Sequence, residues 1–216
     1  MIVLVILFSV VAFALASPIA PEARASHELP TPVSAATAMT YLASLTVGVD
    51  DNVPAYNRSR FKHWHIVSGT CDTRKTVLKR DGTDVVVDAA CKPTSGNWVS
   101  PYDDVTTTVA SQFDIDHIVP LKEAWVSGAR LWTDAKREAF ANDLTLPQLV
   151  AVSARSNRSK GDKDPALWVP PSASYLCTYI RAWVEIKYKY HLAVDATEKT
   201  VLTDYLAACS VEEVDS

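Results

Sequence analysis

The apolar positions along the chain change period several times, and each change marks an element. Over residues 34–45, Met39, Leu42 and Leu45 recur at helical spacing, which predicts a helix. Residues 76–88 carry the clearest strand signal. Val77-Leu78-Lys79-Arg80 and Thr83-Asp84-Val85-Val86-Val87 flank Asp81-Gly82, the composition of a two-residue hairpin turn of the primed type. Residues 92–104 hold Pro93, Gly96 and Pro101 among polar side chains and read as loop. Residues 106–111 read as a strand leading into Phe113-Asp114-Ile115-Asp116-His117-Ile118-Val119-Pro120. From 121 to 142 the pattern turns helical through Leu121, Ala124, Trp125, Trp132, Ala135, Ala139 and Phe140, with Gly128 as a break. Residues 148–153 are a short buried strand, and 154–164 are polar and basic. Two helices end the chain: one over 174–190 with Leu176, Ile180, Trp183, Val184 and Tyr188 on one side, and one from Ala196 carrying Val201, Leu202, Tyr205 and Leu206. The expected class is α+β, with an N-terminal β-hairpin and a C-terminal helical hairpin.

The first residues add a compartment. An apolar run over 2–11 ends in Ala14-Leu15-Ala16, a small-x-small cleavage site, so residues 1–16 read as a signal peptide. That run is shorter than the roughly 20 apolar residues a membrane helix needs, so no membrane association is expected. Residues 17–32, rich in Pro, Ala and Ser, read as a disordered leader, and 33–216 as a single domain. Four cysteines in an exported chain predict two disulfides. The hairpin register leaves Cys71 and Cys91 one place apart at its open end, which pairs them. The two tail helices, laid antiparallel, bring Cys177 beside Cys209. Neither Cys-x-x-Cys nor His-Glu-x-x-His occurs, which argues against zinc. His63 and His65 alternate around Trp64 and read as surface histidines on an edge segment with the indole turned inward. The net charge of −4 excludes nucleic-acid binding by overall field and requires a local basic patch.

Candidate chemistry concentrates at Asp116-His117. Consecutive residues on a strand point different ways, so one can face a metal ion while the other handles a proton. After the strand at 148–153 comes Asn157, which adds an amide oxygen. Carboxylate and amide oxygens suit Mg²⁺ or Mn²⁺, and a histidine with an ordinary pKa near 6.5 can take a proton from water.

Longer stretches make this specific. They are Phe61-x-His63-Trp64, Cys71-Asp72-Thr73-Arg74-x-x-Val77-Leu78-x-Arg80-Asp81-Gly82, and the run from Asp114 to Pro120 continued by Leu121-x-Glu123-Ala124-Trp125-x-Ser127-Gly128-Ala129. Phe140-Ala141-Asn142-Asp143, Leu149-x-Ala151-Val152 and Asn157-x-Ser159-Lys160-Gly161-Asp162-Lys163-Asp164-Pro165-x-x-Trp168-x-Pro170-Pro171 follow. On these the chain resembles the secreted HNH nuclease family related to the C-terminal domain of GmrSD-type restriction endonucleases. The resemblance implies a ββα-metal (HNH) core, with His117 as general base and Asp116 and Asn157 as metal ligands. Gln148 stands where the family has the Asn that braces the histidine loop, and it offers the same amide from one methylene further out. Asn142 is the other candidate brace. The resemblance also implies a divalent-metal endonuclease acting on DNA, or RNA, with low sequence preference. Among the basic residues, Arg74 and Lys160 are the expected nucleic-acid contacts, while Arg155, Arg158 and Lys163 read as a solvated face. The rival reading is a catalytically inactive secreted binding or effector protein that keeps the fold.

Two Asn-x-Ser sequons are present, at Asn57 in a predicted exposed loop and at Asn157 just after a buried strand. Glycopeptide mass spectrometry of the secreted protein should find glycan at Asn57 and none at Asn157. High occupancy at Asn157 in protein that cuts nucleic acid would remove that residue from the site.

Overall fold

The Ser34 hydroxyl accepts from Thr37 N at 3.3 Å and starts α1 (Ala35–Ser44) where the apolar spacing predicts a helix. Its buried face is Ala35, Ala38 and Leu42. The computed structural model describes residues 29–214, with side chains to 210. The predicted signal peptide and residues 17–28 of the predicted leader lie outside the described residues.

A short antiparallel pair, β1 (Ile66–Ser68) and β2 (Cys71–Asp72), comes next. The hairpin predicted across Asp81-Gly82 does not form. Thr73–Asp81 is a helix, α2, which Asp72 caps by accepting from Lys75 N at 2.9 Å. Thr73 and Val77, one turn apart, are buried together with Leu78. The hairpin lies further on: β3 (Gly82–Val87) pairs antiparallel with β4 (Pro93–Val99), a strand where loop was predicted. Of the strand predicted over 106–111, only β5 (Thr106–Thr107) is extended, and Ala110–Gln112 form a 3₁₀ turn. Trp98 explains the misleading Asp-Gly. A Cβ on Gly82 would lie 2.5 Å from the indole Nε1, and one on Gly96, at φ +153°, would lie 2.6 Å from Cη2. Gly82 therefore gives room to a buried ring rather than turning the chain. The Cys71–Cys91 bridge is present, with Cα atoms 5.1 Å apart, although the register from which it was predicted is absent. Cys91 lies in the turn between β3 and β4.

The rest follows the sequence pattern. β6 (Phe113–His117) leads into α3 (Leu121–Val126), a 3₁₀ turn (Ala129–Leu131) after the break at Gly128, and α4 (Asp134–Ala141). β7 (Leu149–Ser153) returns antiparallel to β6 in unbroken register from Phe113↔Ser153 to His117↔Leu149, and runs into α5 (Ala154–Lys160). α6 (Ala173–Tyr190) and α7 (Ala196–Val214) are tied by Cys177–Cys209, with Cα atoms 5.5 Å apart. The protein is thus a mixed α+β fold of small sheets and helices with two disulfides. No helix among the described residues is long and apolar enough to cross a membrane.

The β6–β7 ribbon is buried on both faces. Phe113, Ile115, Leu149 and Ala151 join Val77, Leu78 and Trp98 in a small core, whereas Val150 and Val152 belong to the large helical core with Trp125, Phe140, Tyr179 and Trp183. The outer edge of β7 is closed by side chains. Arg80 donates to Leu149 O at 2.5 Å, and Asp81 accepts from Ala151 N at 2.8 Å, so this ion pair supplies the bonds a third strand would make.

A buried charge cluster joins α3 to the tail. Lys187 donates to Glu123 and to Glu198, each at 2.7 Å, and to Ala193 O. Two carboxylates share one ammonium. Burial raises both acids, Glu198 to about 7, against the pull of Lys187. Lys187 is held above its ordinary value because the two carboxylates outweigh its own burial. An acid whose pKa is raised on folding stabilises the fold below its unfolded pKa, and that contribution is lost as pH rises through the folded value. The melting temperature should therefore fall as pH rises from about 4.5 to about 7 and level off above that, and Glu198→Gln, which leaves one carboxylate for one ammonium, should flatten that slope. An unchanged slope in the variant would exclude Glu198 as its source.

Candidate functional site

Strand alternation divides the site into two faces. Asp114 and Asp116 share the face of Val150 and Val152, and His117 shares the opposite one with Phe113 and Ile115.

On the first face, Asp116 is 5% exposed. Its Oδ2 accepts from Tyr102 Oη at 2.5 Å and from Lys160 Nζ at 2.8 Å. The same ammonium donates to His117 O at 2.8 Å and is fully buried. Burial pushes the Asp116 carboxyl up and the Lys160 ammonium down, and their attraction opposes both shifts. Burial also raises the Tyr102 hydroxyl well above its usual value, so it is a donor here. Asp103 Oδ2 fixes the Tyr102 loop by accepting from Ser153 Oγ at 2.6 Å and Ser156 Oγ at 2.7 Å. Ser153 also caps α5, so one residue joins strand, helix and loop.

Asn157, on the helix turn preceding Lys160, is half-buried, and its Nδ2 donates to Asp114 Oδ2 at 3.2 Å. A glycan on that nitrogen would displace this bond. Asn57 is exposed, and its Oδ1 accepts from Ser59 N and Oγ. Residues 113–117, 149–153 and 154–160 thus run strand, strand, helix, with α5 packed on both strands.

On the second face, His117 is also 5% exposed. Its Nε2 lies 3.0 Å from Ala141 O. A carbonyl can only accept, so Nε2 carries the proton and Nδ1 keeps the lone pair. Burial, aided by the charges of Arg58, His63 and Lys160, holds the imidazole down to about 3 despite its bond to Ala141, so the ring is neutral at physiological pH. Trp64 stacks on it with centroids 5.6 Å apart and planes 17° apart, and His63 meets it edge-on at 6.4 Å.

Both predicted braces make contacts. Gln148, fully buried, accepts from Val119 N at 3.1 Å and donates to Val119 O at 3.0 Å, closing a two-bond ring on the residue two past His117. Asn142 accepts from Thr73 Oγ1 and His65 N and donates to Lys62 O and Glu138 O. It pins the segment that carries His63 and Trp64 to the end of α4, next to the carbonyl that holds His117.

The two residues expected to contact nucleic acid bond within the protein in this structure. Lys160 is buried on Asp116, and Arg74 donates to Phe113 O at 2.8 Å, tying α2 to β6. Tyr102 and Trp64 are the contributors that sequence reasoning missed. Tyr102 stands in a stretch that reads as loop, and Trp64 gives only a general signal for burial.

Among the described residues there is no group of three or more His, Cys, Asp or Glu suited to a metal ion. The donors are hard oxygens, and Lys160 serves as a stand-in. Its ammonium, held at 2.8 Å by both Asp116 and His117 O, marks a position where a cation is accepted. Asp116 supplies there the hard oxygen that Mg²⁺ or Mn²⁺ takes, with few protein ligands and several waters, whereas Asn157, the other expected ligand, is bonded to Asp114.

Residues 80–205 match the family described as GmrSD restriction endonucleases, C-terminal domain. The chain is also 52% identical, over 184 residues, to an uncharacterized secreted protein of Arthroderma benhamiae, covering 84% of this chain and 90% of that relative. No solved structure matches. The matched segment runs from the end of α2 into α7 and contains β6, β7 and α5 whole, and the chain belongs to the family of the GmrSD restriction endonuclease C-terminal domain.

Proposed function

We propose that the protein is a metal-dependent endonuclease with an HNH-type ββα-metal core, hydrolysing phosphodiester bonds of DNA, or of RNA, with low sequence preference. The protein is secreted: its two disulfides belong to an oxidising compartment, and the Arthroderma relative carries the name of a secreted protein.

The observation that carries the reading is the state of His117. Its ring is neutral, Nε2 is spent on a backbone carbonyl, and Nδ1 is left as the one basic atom. A fixed tautomer and a fixed plane, clamped by Trp64 on one side and by the Gln148-braced loop beyond it, aim the Nδ1 lone pair for a proton from water, while burial makes it a weaker base than a free imidazole. Nδ1 takes that proton as the oxygen attacks phosphorus. Asp116 and Asn157 would hold the divalent ion, which supplies Lewis-acid stabilisation of charge on the phosphate and the departing 3′ oxygen. Arg58 adds positive potential near the ring, where a phosphodiester must enter.

One observation favours the rival reading, a secreted binding or effector protein. The expected metal-side carboxylate, Asp116, is already closed by Lys160 and Tyr102. Plasmid cleavage separates the two. Wild-type protein should nick DNA with Mg²⁺ or Mn²⁺ and stop in EDTA, and His117→Ala should lose about 10²–10⁴-fold in rate. A wild type inactive on both DNA and RNA with either metal would favour the binding protein. A His117→Ala variant within about tenfold of wild type would remove His117 as the base.

A further inference from the structure

Lys160 is unusual in being both fully buried and chemically placed. The ammonium contacts no solvent, and its two bonds to Asp116 and His117 O use the atoms that point toward α5. Tyr102 donates to the same carboxylate oxygen, so Asp116 Oδ2 is saturated. A divalent ion cannot take this oxygen while the ammonium holds it. Two neighbouring cations sharing one buried carboxylate would repel strongly in a low-dielectric site. The surroundings allow an exchange. Lys160 is the last residue of α5, and Gly161 follows it with φ +58°, so the side chain leaves from a helix end and not from a packed interior turn. Asn157, one turn earlier, is half-exposed, lies on the same side of the helix and donates its Nδ2 to Asp114.

We propose that Lys160 is a resident counter-ion that occupies the cation position at Asp116 and must be displaced before a divalent metal binds there. The inference rests on the reading of Asp116 as the metal-side carboxylate. Lys160 is a positioning residue: it keeps Asp116 charged and aimed without metal and sets the threshold for metal entry. The ammonium expelled by metal stays tethered to α5 beside Asn157, where a phosphate would approach, and this returns to it the substrate contact expected from the sequence.

The test is Mn²⁺ binding to the disulfide-bonded protein without nucleic acid, read from the electron paramagnetic resonance of the free ion. Lys160→Met should bind Mn²⁺ about tenfold more tightly than wild type or better, because the competing charge is gone, whereas Lys160→Arg should stay within about threefold of it. Lys160→Met combined with Asp116→Asn should lose the gain. Wild-type or weaker affinity in Lys160→Met overturns the proposal, as does a gain that survives Asp116→Asn. Should Lys160→Met fail to fold, Lys160→Gln carries the same expectation. A second readout needs no variant: the buried Lys160 ammonium signal in ¹⁵N spectra of the wild type should shift or disappear as Mg²⁺ is added. An unchanged signal with metal bound contradicts the exchange. None of these measurements requires cleavage, so the nuclease reading and the exchange can fail separately.

Discussion

The contact between Lys160 and Asp116 decides the geometry of everything around it. α5 is only seven residues long and has little stability of its own. What fixes it is Ser153 at its start and the Lys160 ammonium at its end, reaching across to Asp116 and His117 O. Removing either charge would leave the other buried and unpaired, at a cost of about 3–5 kcal/mol. The same contact sets the distance between the helix bearing Asn157 and the strand bearing His117. Stability and candidate chemistry thus depend on one ion pair, which is why a neutral substitution there reports on both.

The rest of the fold supports that pair from two sides. The helical core holds the first face of β6–β7 through Val150, Val152 and the Tyr102–Tyr179 aromatic contact, ring centroids 5.8 Å apart. The small core holds the second face through Phe113, Ile115, Leu149 and Ala151 on α2 and Trp98. Because both faces are packed, a register slip would place Asp114 and Asp116 in an apolar core, so the ladder is strongly specified. Asn142 and Gln148 then act at a finer scale. Each spends a buried amide on backbone groups, one anchoring the Trp64 segment and the other the loop after His117. The cost of leaving those backbone groups unpaired makes both positions intolerant of apolar replacement.

Much of this was legible in the sequence because it is local. The run from Asp114 to Pro120, the buried strand at 149–153, the break at Gly128 and the helical tail all declare themselves by period and composition. So do the Cys177–Cys209 bridge and the sequon in the loop at Asn57. What was not legible depends on distant partners. Asp81-Gly82 resembles a turn, but the space its glycine gives is taken by Trp98, which is sixteen positions away in the chain. Thr73–Asp81 has weak amphipathic patterning because one side of the helix is spent on β6 and β7 through Arg74, Arg80 and Asp81. Lys160 read as an accessible cation for nucleic acid, and only the fold shows that its charge is answered within the protein. Cys71–Cys91 was reached by a register that does not exist, and it forms because β2 and the turn at residues 88–92 converge by another route.

The central claim is that His117 is held neutral with Nδ1 as its basic atom. Long-range ¹H–¹⁵N correlation spectra of the folded protein, taken across acidic to neutral pH, test it directly. The account predicts a single neutral form protonated at Nε2 down to about pH 4, with titration only near the low value that burial imposes. An imidazolium at pH 6, or a ring protonated at Nδ1, would contradict it.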